Sequence, residues 1–207
     1  IEQLRQARPQ ARFLELVHRL DRDTSGILLL AKKRSALTNL QDQFRERETG
    51  KTYLALVQGH WAANRKVIDT ALHKYLQPDG ERRVKVVAKD HPEAMPSVSL
   101  VKVRQRLPAQ PALGLPELSL LEVTIKTGRT HQIRVHMASS GHPIAGDDKY
   151  GDFDLNKRLQ KQVLKRMFLH AWRLQFNHHL TGERHELLCP LPPELARVVP
   201  DDVRPKP

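Results

Sequence analysis

The chain has 207 residues, enough for one well-packed domain, and no stretch in its middle is composed like a linker. Its 35 lysines and arginines exceed its 23 aspartates and glutamates by a net charge of +12, spread along the chain, which points to a polyanionic partner, nucleic acid first. A single cysteine, Cys189, excludes an intrachain disulfide and a cysteine-cage metal site and suits a reducing cytoplasm; no apolar run is long enough for a membrane span and no signal peptide is recognisable, so a cytoplasmic protein without membrane association is expected.

Residues 1–12 are polar and predict a helix. Residues 14–19 predict a short strand, and the Asp23-Thr24-Ser25-Gly26 turn returns the chain into an apolar strand over 27–31, expected to be buried on both faces. Ser35 is placed to cap a helix on which Leu37, Leu40 and Phe44 recur at helical spacing, with Gly50 at its C-terminal end. Residues 51–59 are apolar on both alternating faces, as a central strand should be, and put Tyr53 on one face with Ala55 and Val57. Strands follow over 66–72, 82–88, 97–107 and 118–126, separated by the Pro78-Asp79-Gly80 turn and a proline-rich surface loop over 108–116. Thr127-Gly128-Arg129-Thr130 opens a helix to about Ser139, stopped by Gly141 and Pro143, with donors at its start that favour an anion. A basic helix is expected over 155–167, late strands at 168–176 and 186–188, a short helix from Pro193 and a loose tail from Pro200. Strands outnumber helices and follow one another directly, which predicts an α+β class, one domain over 1–207 with a mostly antiparallel sheet flanked by helices.

Chemistry concentrates in His18-Arg19-Leu20-Asp21-Arg22-Asp23-Thr24-Ser25-Gly26. This stretch sets a carboxylate, Asp21, between two arginines in the connection between strands, where a rigid element can hold a reactive group. It resembles the His-Arg-Leu-Asp-x-x-Thr-Ser-Gly signature of the RluA-type RNA pseudouridine synthases, and the similarity continues in blocks to about Pro190. The resemblance implies the pseudouridine synthase catalytic fold with an RNA-binding cleft across the sheet. It further implies isomerisation of uridines in large-subunit (23S) ribosomal RNA by a monomer. An S4-type RNA-binding module and a first catalytic strand are implied ahead of this stretch; neither is recognisable in these residues, which are expected to form the catalytic domain.

Exchanging the C1′–N1 bond of uridine for a C1′–C5 bond leaves the oxidation level unchanged, so neither a redox cofactor nor a metal is expected. A carboxylate can add to C6, which is conjugated to the C4 carbonyl, or assist at the sugar instead. The resemblance gives that role to Asp21. In a site that excludes water such a group takes up a proton unless a cation keeps it charged. The block Gly128-Arg129-Thr130-His131-Gln132-Ile133-Arg134-Val135-His136 resembles the family's second signature and implies Arg134 as the ion-pair partner of Asp21; on its own it reads as a solvated basic helix face. Tyr53 matches the tyrosine of the family's Lys-x-Tyr-x-Ala-x-Val-x-Gly strand, whose ring stacks on an extruded base with its hydroxyl near C5, where a proton must leave.

Leu169, in Phe168-Leu169-His170-Ala171, is expected to pack beneath the uracil or the tyrosine. Arg19 is suited to fill the vacancy left by a flipped base, as the resemblance implies, or to contact a phosphate or make a structural salt bridge. Arg129, Lys32 and Lys33 are expected on the RNA, the two lysines on phosphates. The carboxylates of Asp147-Asp148-x-Tyr150-Gly151-Asp152 could suggest a magnesium site, but the resemblance gives this block no metal role and a structural one is expected. His131 and His136 are five apart, on different helix faces, so they do not make a zinc pair, and His18 is expected to orient its loop. Three other readings compete: a transfer-RNA substrate, a non-catalytic ribosome-assembly factor that keeps the basic surface, and a metal-dependent nuclease using Asp21, Asp23 and the Asp147 cluster.

Overall fold

A computed structural model describes residues 1–162 and 164–201. The elements in chain order are α1 (Glu2–Ala7), β1 (Glu15–Leu16), β2 (Ser25–Gly26), β3 (Leu30–Ala31), α2 (Arg34–Arg45), β4 (Gly50–Gln58), β5 (Val67–Leu76), β6 (Arg82–Val87), β7 (Met95–Leu107), β8 (Leu118–Ile125), α3 (Gln132–Ser139), α4 (Phe153–Gln162), β9 (Leu169–Asn177), β10 (Arg184–Leu188) and α5 (Pro193–Ala196). The main sheet runs β10-β9-β4-β8-β7-β5-β6 with antiparallel neighbours throughout, and β2 adds to it as its one parallel pairing, on β9. The expected α+β class, with its mostly antiparallel sheet and flanking helices, is the one observed. Among the described residues no helix is long and apolar enough to cross a membrane.

The double-faced apolar pattern of β4 explains its central place. Leu54 and Leu56 face a core layer shared with Leu155 and Leu159 of α4 and Leu195 of α5, while Ala55 and Val57 face a layer shared with Ile133 and Met137 of α3. All four β4 side chains are fully buried. Tyr53 joins the α3 layer, so that face of the sheet is the one that carries the motif residues. A smaller cluster of Val17, Ala31, Ala36 and Leu40 seats α2 on the little β1–β3 sheet.

Several boundaries depart from the sequence expectation. The apolar run 27–31 is not one strand buried on both faces. Ser25 and Gly26 pair with His170 and Ala171, Ile27 N–H donates to the Ala171 carbonyl at 3.0 Å, and the chain then crosses to pair Leu30 and Ala31 with Leu16 and Glu15. Its side chains at 27–30 are only half buried because they fill the seam between two sheets. Ser35 does not cap α2: the helix starts a residue earlier, with extended Lys33 at the cap position and no side-chain cap. Gly50 opens β4 instead of ending α2, and Arg47, at φ 64°, takes the left-handed turn after the helix. The basic helix is shorter and earlier than 155–167, and α3 begins at Gln132 because His131, at φ 53°, occupies its N-cap in a left-handed conformation. The 108–116 loop contains a 3-10 turn over Pro111–Leu113. The tail expected from Pro200 lies, beyond Asp201, outside the described residues.

One glycine is indispensable to this arrangement. Gly26 has φ 109°, and a Cβ there would stand 2.2 Å from the Ala171 carbonyl oxygen, which is backbone and cannot swing aside. Gly26→Ala should therefore cost about 3 kcal/mol of unfolding free energy by denaturant titration, combining a backbone conformation hostile to L side chains with a clash. A loss below about 1 kcal/mol would show that the β2–β9 junction yields.

Candidate active site

The loop that carries Asp21 is pinned from three sides. Arg166 donates to the Asp23 carbonyl at 3.0 Å. The His170 ring, 1% exposed, donates from Nε2 to the Cys189 carbonyl at 2.9 Å, which leaves Nδ1 to accept the Ser25 hydroxyl at 2.9 Å. Thr24 N–H closes a turn on the Asp21 carbonyl at 3.0 Å. On the approach to the turn, His18 Nε2 accepts the Leu29 N–H at 3.1 Å and its ring stacks on Phe44 at 4.7 Å between centroids. His18 thus orients its loop, as expected.

The loop forms one wall of a cleft of about 480 Å³, which Tyr53 and Leu169 line from the sheet and Thr127, Arg129 and Thr130 from the opposite side. Arg19 and Asp21 are both on its lining. Four of the expected site residues besides Asp21 therefore converge on it: Arg19, Tyr53, Arg129 and Leu169. Leu169 is 2% exposed and packs in the same core layer as Tyr53, forming its floor. Lys32 and Lys33 do not reach the cleft. They lie exposed at the start of α2, beside a separate shallow groove with Phe176, His178 and His179.

Arg134 requires a correction. It does not form the expected ion pair with Asp21. Its fork is occupied by Asp147, with Nε at 2.8 Å from one carboxylate oxygen and an Nη at 2.7 Å from the other, and the two side chains are 5% and 1% exposed. The same carboxylate accepts the N–H groups of Lys149 at 2.9 Å and Tyr150 at 3.0 Å. Burial alone would raise the Asp147 carboxyl; the Arg134 bonds and charge, helped by these backbone donors, instead hold it below the ordinary carboxylate range. The physical reason for the swap is satisfaction: a buried carboxylate with four donors is a deeper partner for the guanidinium than a half-exposed one on a cleft wall. Arg134 and Asp21 still act on each other through the field. Among the described residues no side chain forms an ion pair with the Asp21 carboxylate. The Asp147 block accordingly has the structural role expected of it.

Burial, and then the charge of Asp21, push the Tyr53 hydroxyl well above the ordinary phenol range, so the phenol keeps its proton at neutral pH. Burial lowers the His131 imidazole; Asp21 works against this, and Arg134 and Lys149 with it. Tyr150 Oη accepts the Val84 N–H at 3.0 Å and hydrogen-bonds His131 Nδ1 at 2.8 Å, which ties the start of α3 to β6.

Two contributors escaped the sequence reading. Gln132, 3% exposed, accepts from the Thr127 hydroxyl at 2.7 Å and from the Arg129 N–H at 3.1 Å while donating to the Val98 carbonyl at 3.0 Å, and so fixes the shape of the turn that faces Asp21. Lys51 lines the cleft with its side chain largely buried. Strand alternation, which places it on the face of Tyr53, was the available signal.

The sequence profile of the RNA pseudouridylate synthase family matches residues 2–139, and the chain belongs to that family. Among its curated relatives are proteins named ribosomal large subunit pseudouridine synthase C. That of Pasteurella multocida is 47% identical over 199 residues, covering 96% of this chain and 57% of the relative. That of Haemophilus influenzae is 50% identical over 183 residues, covering 88% and 53%. The chain thus spans little more than half the length of these relatives. The solved structure of human RNA pseudouridylate synthase domain containing 1 superposes with a TM-score of 0.76 at 29% identity, over 98% of this chain and 77% of that one. Human RNA pseudouridylate synthase domain containing 4, at 24% identity and a TM-score of 0.69 over 93% and 77%, shares the fold.

Removing the guanidinium by Arg134→Met leaves the Asp147 carboxylate buried without its fork. It should cost about 3–5 kcal/mol of unfolding free energy at neutral pH. Because the folded Asp147 carboxyl is lowered, the contribution is present above the ordinary carboxylate range and is lost only as the pH falls through the folded value. A cost within the roughly 1 kcal/mol of an exposed pair would show that water reaches this contact.

Proposed function

We propose that this chain is the catalytic part of an RNA pseudouridine synthase that isomerises uridines in large-subunit (23S) ribosomal RNA, with Asp21 as nucleophile. The observation that carries the reading is the convergence of Asp21, Tyr53 and Leu169 on one cleft, close enough for the Asp21 charge to act on the Tyr53 hydroxyl. The family and the names of the relatives support the reaction and the ribosomal substrate. A cytoplasmic monomer that needs neither metal nor redox cofactor is part of the same reading.

The target base must leave its stack to reach Asp21, at a cost of a few kcal/mol. The flipped uracil then lies between the Tyr53 ring and the Asp21 loop over the Leu169 floor, while Arg19, exposed at the cleft mouth, takes the vacated place in the RNA. Attack by the carboxylate, at C6 or at C1′, frees the C1′–N1 bond. The base turns, C5 bonds to C1′, the bond to Asp21 breaks and returns its carboxylate, the C5 proton leaves and N1 gains one, so the product is an isomer of the substrate. Attack also consumes the Asp21 charge. In the C6 route the ester persists until C5 loses its proton, so the charge that is the second cause holding the Tyr53 proton on is absent then and phenolate formation becomes less costly at that step. Arg134 serves as a positioning residue that holds the Asp147 loop and the base of α3 in place.

Asp21→Asn exchanges an ionisable acceptor for a near-isostere. It should abolish release of tritium from C5-labelled 23S transcripts while leaving thermal stability and most RNA affinity intact; multiple turnover by the purified variant would refute the assignment. Tyr53→Phe keeps the ring and removes the proton site, so binding should persist while kcat falls about 10²–10⁴-fold. Unchanged kinetics would limit Tyr53 to stacking. Running labelled transfer RNA beside the 23S transcript discriminates the two substrates, and RNA binding without tritium release by the wild type would favour an assembly factor.

A further inference from the structure

Lys51 is an unusual lysine. It is 8% exposed, it lines the cleft, and among the described residues no carboxylate pairs with its ammonium. Its Nζ stands 5.5 Å from the centre of the Phe44 ring and looks across the cleft at the backbone of Gly128, where a built Cβ would come within 3.9 Å of it. The charges near it are positive: burial first, and then Arg47, lower its amine, and its own charge lowers His18. Asp21 is absent from the charges that act on it, so Lys51 is not the missing counter-ion of the nucleophile. A cation held out of water among other cations is a costly arrangement that an anion would relieve.

The neighbouring arginines differ in a telling way. Arg45 is already engaged with Asp42 and Glu46. Arg47 makes no ion pair among the described residues, and the left-handed backbone at φ 64° that carries it is uncommon for a residue with a side chain. Both Arg47 and Lys51 lie on the cleft lining.

We propose that Lys51, facing the bare backbone of Gly128, and Arg47 on the same cleft lining form a subsite for a phosphodiester of the RNA strand beside the flipped uridine. The inference rests on the RNA-modifying reading above and adds to it the point where the strand is gripped. Lys51 and Tyr53 are two residues apart on one face of β4, roughly 7 Å along the strand. That separation sets a phosphate about one nucleotide's reach from a base stacked on the tyrosine. A lysine suits the task, acting on phosphate as a compact point charge.

Inorganic phosphate probes the subsite without catalysis. Exchanging chloride for phosphate at constant ionic strength should raise the Tm of the wild-type chain, and Lys51→Met, which keeps an unbranched apolar stem over Phe44, should lose that increment. With a 23S transcript, Lys51→Met should weaken Kd about 5-fold at physiological salt and reduce the slope of log Kd against log salt by about 0.7, the share of one phosphate. An unchanged slope, or a phosphate increment that survives the substitution, overturns the proposal. If Lys51→Met does not fold, Arg47→Met, altered at an exposed side chain, carries both readouts with the same expectations and the same overturning results. A wild-type chain that gains stability from phosphate through Lys51 but isomerises no RNA would sink the functional reading and leave the subsite standing. Full isomerisation with the slope unmoved would do the reverse.

Discussion

Asp21 sits in a loop with almost no regular structure of its own, and its position is borrowed from β9. The loan is made at the contact of Gly26 with Ala171, where two backbones approach more closely than any side chain permits. The Ser25 hydroxyl on His170 and the Arg166 guanidinium on the Asp23 carbonyl complete the attachment within the next few residues. Because Leu169 belongs to the same strand, the floor of the cleft and the anchor of the Asp21 loop are one continuous piece of backbone. A group on a loop can thereby be held with the rigidity of a sheet, which a site that must meet a single reacting atom requires.

This arrangement also explains why two stretches far apart in the chain both read as motifs. Thr24-Ser25-Gly26 and Leu169-His170-Ala171 are the two sides of one junction, and Ser25, Gly26, Leu169 and His170 each have a structural reason to be what they are. From the sequence alone the first could be assigned to a turn and the second to a strand, but nothing in either reveals that they pair in parallel. The apolar run 27–31 illustrates the same limit. Its composition satisfies a buried strand, yet the residues serve a crossing between two sheets, a distinction set by partners that periodicity does not report. By contrast β4, β7 and β8 were legible nearly to the residue: the unbroken run 53–57 of β4 marks a strand covered on both faces, and β7 alternates between buried and more exposed positions as a strand with one open face does.

The site divides in the same way. Asp21 and Tyr53, the residues proposed to act directly, were visible through the family motifs that they match. Pairings were not. The Arg134 guanidinium found the carboxylate that the loop after α3 delivers with two backbone N–H groups already aimed at it, and the choice between Asp21 and Asp147 turns on burial and donor count, which are properties of the folded chain. The outcome separates two tasks that the sequence reading had combined. One arginine holds architecture, and Asp21 is left facing the cleft without an ion pair among the described residues, free to exchange its interactions for those of a substrate.

That freedom bears on how the cleft reads polarity. A net charge of +12 draws a polyanion from a distance, but at physiological salt the screening length is about 8 Å, so the final seating of a strand depends on charges inside the cleft. There the distribution is graded along β4: positive around Lys51, a protonated phenol at Tyr53, and a carboxylate beyond it. A nucleotide carries the complementary gradient, with its anionic phosphate at one end and its electrophilic base at the other. Reversing it would place phosphate against carboxylate and leave a buried ammonium unmatched, so the wrong orientation is penalised at both ends at once, which is a stronger discrimination than either contact provides alone.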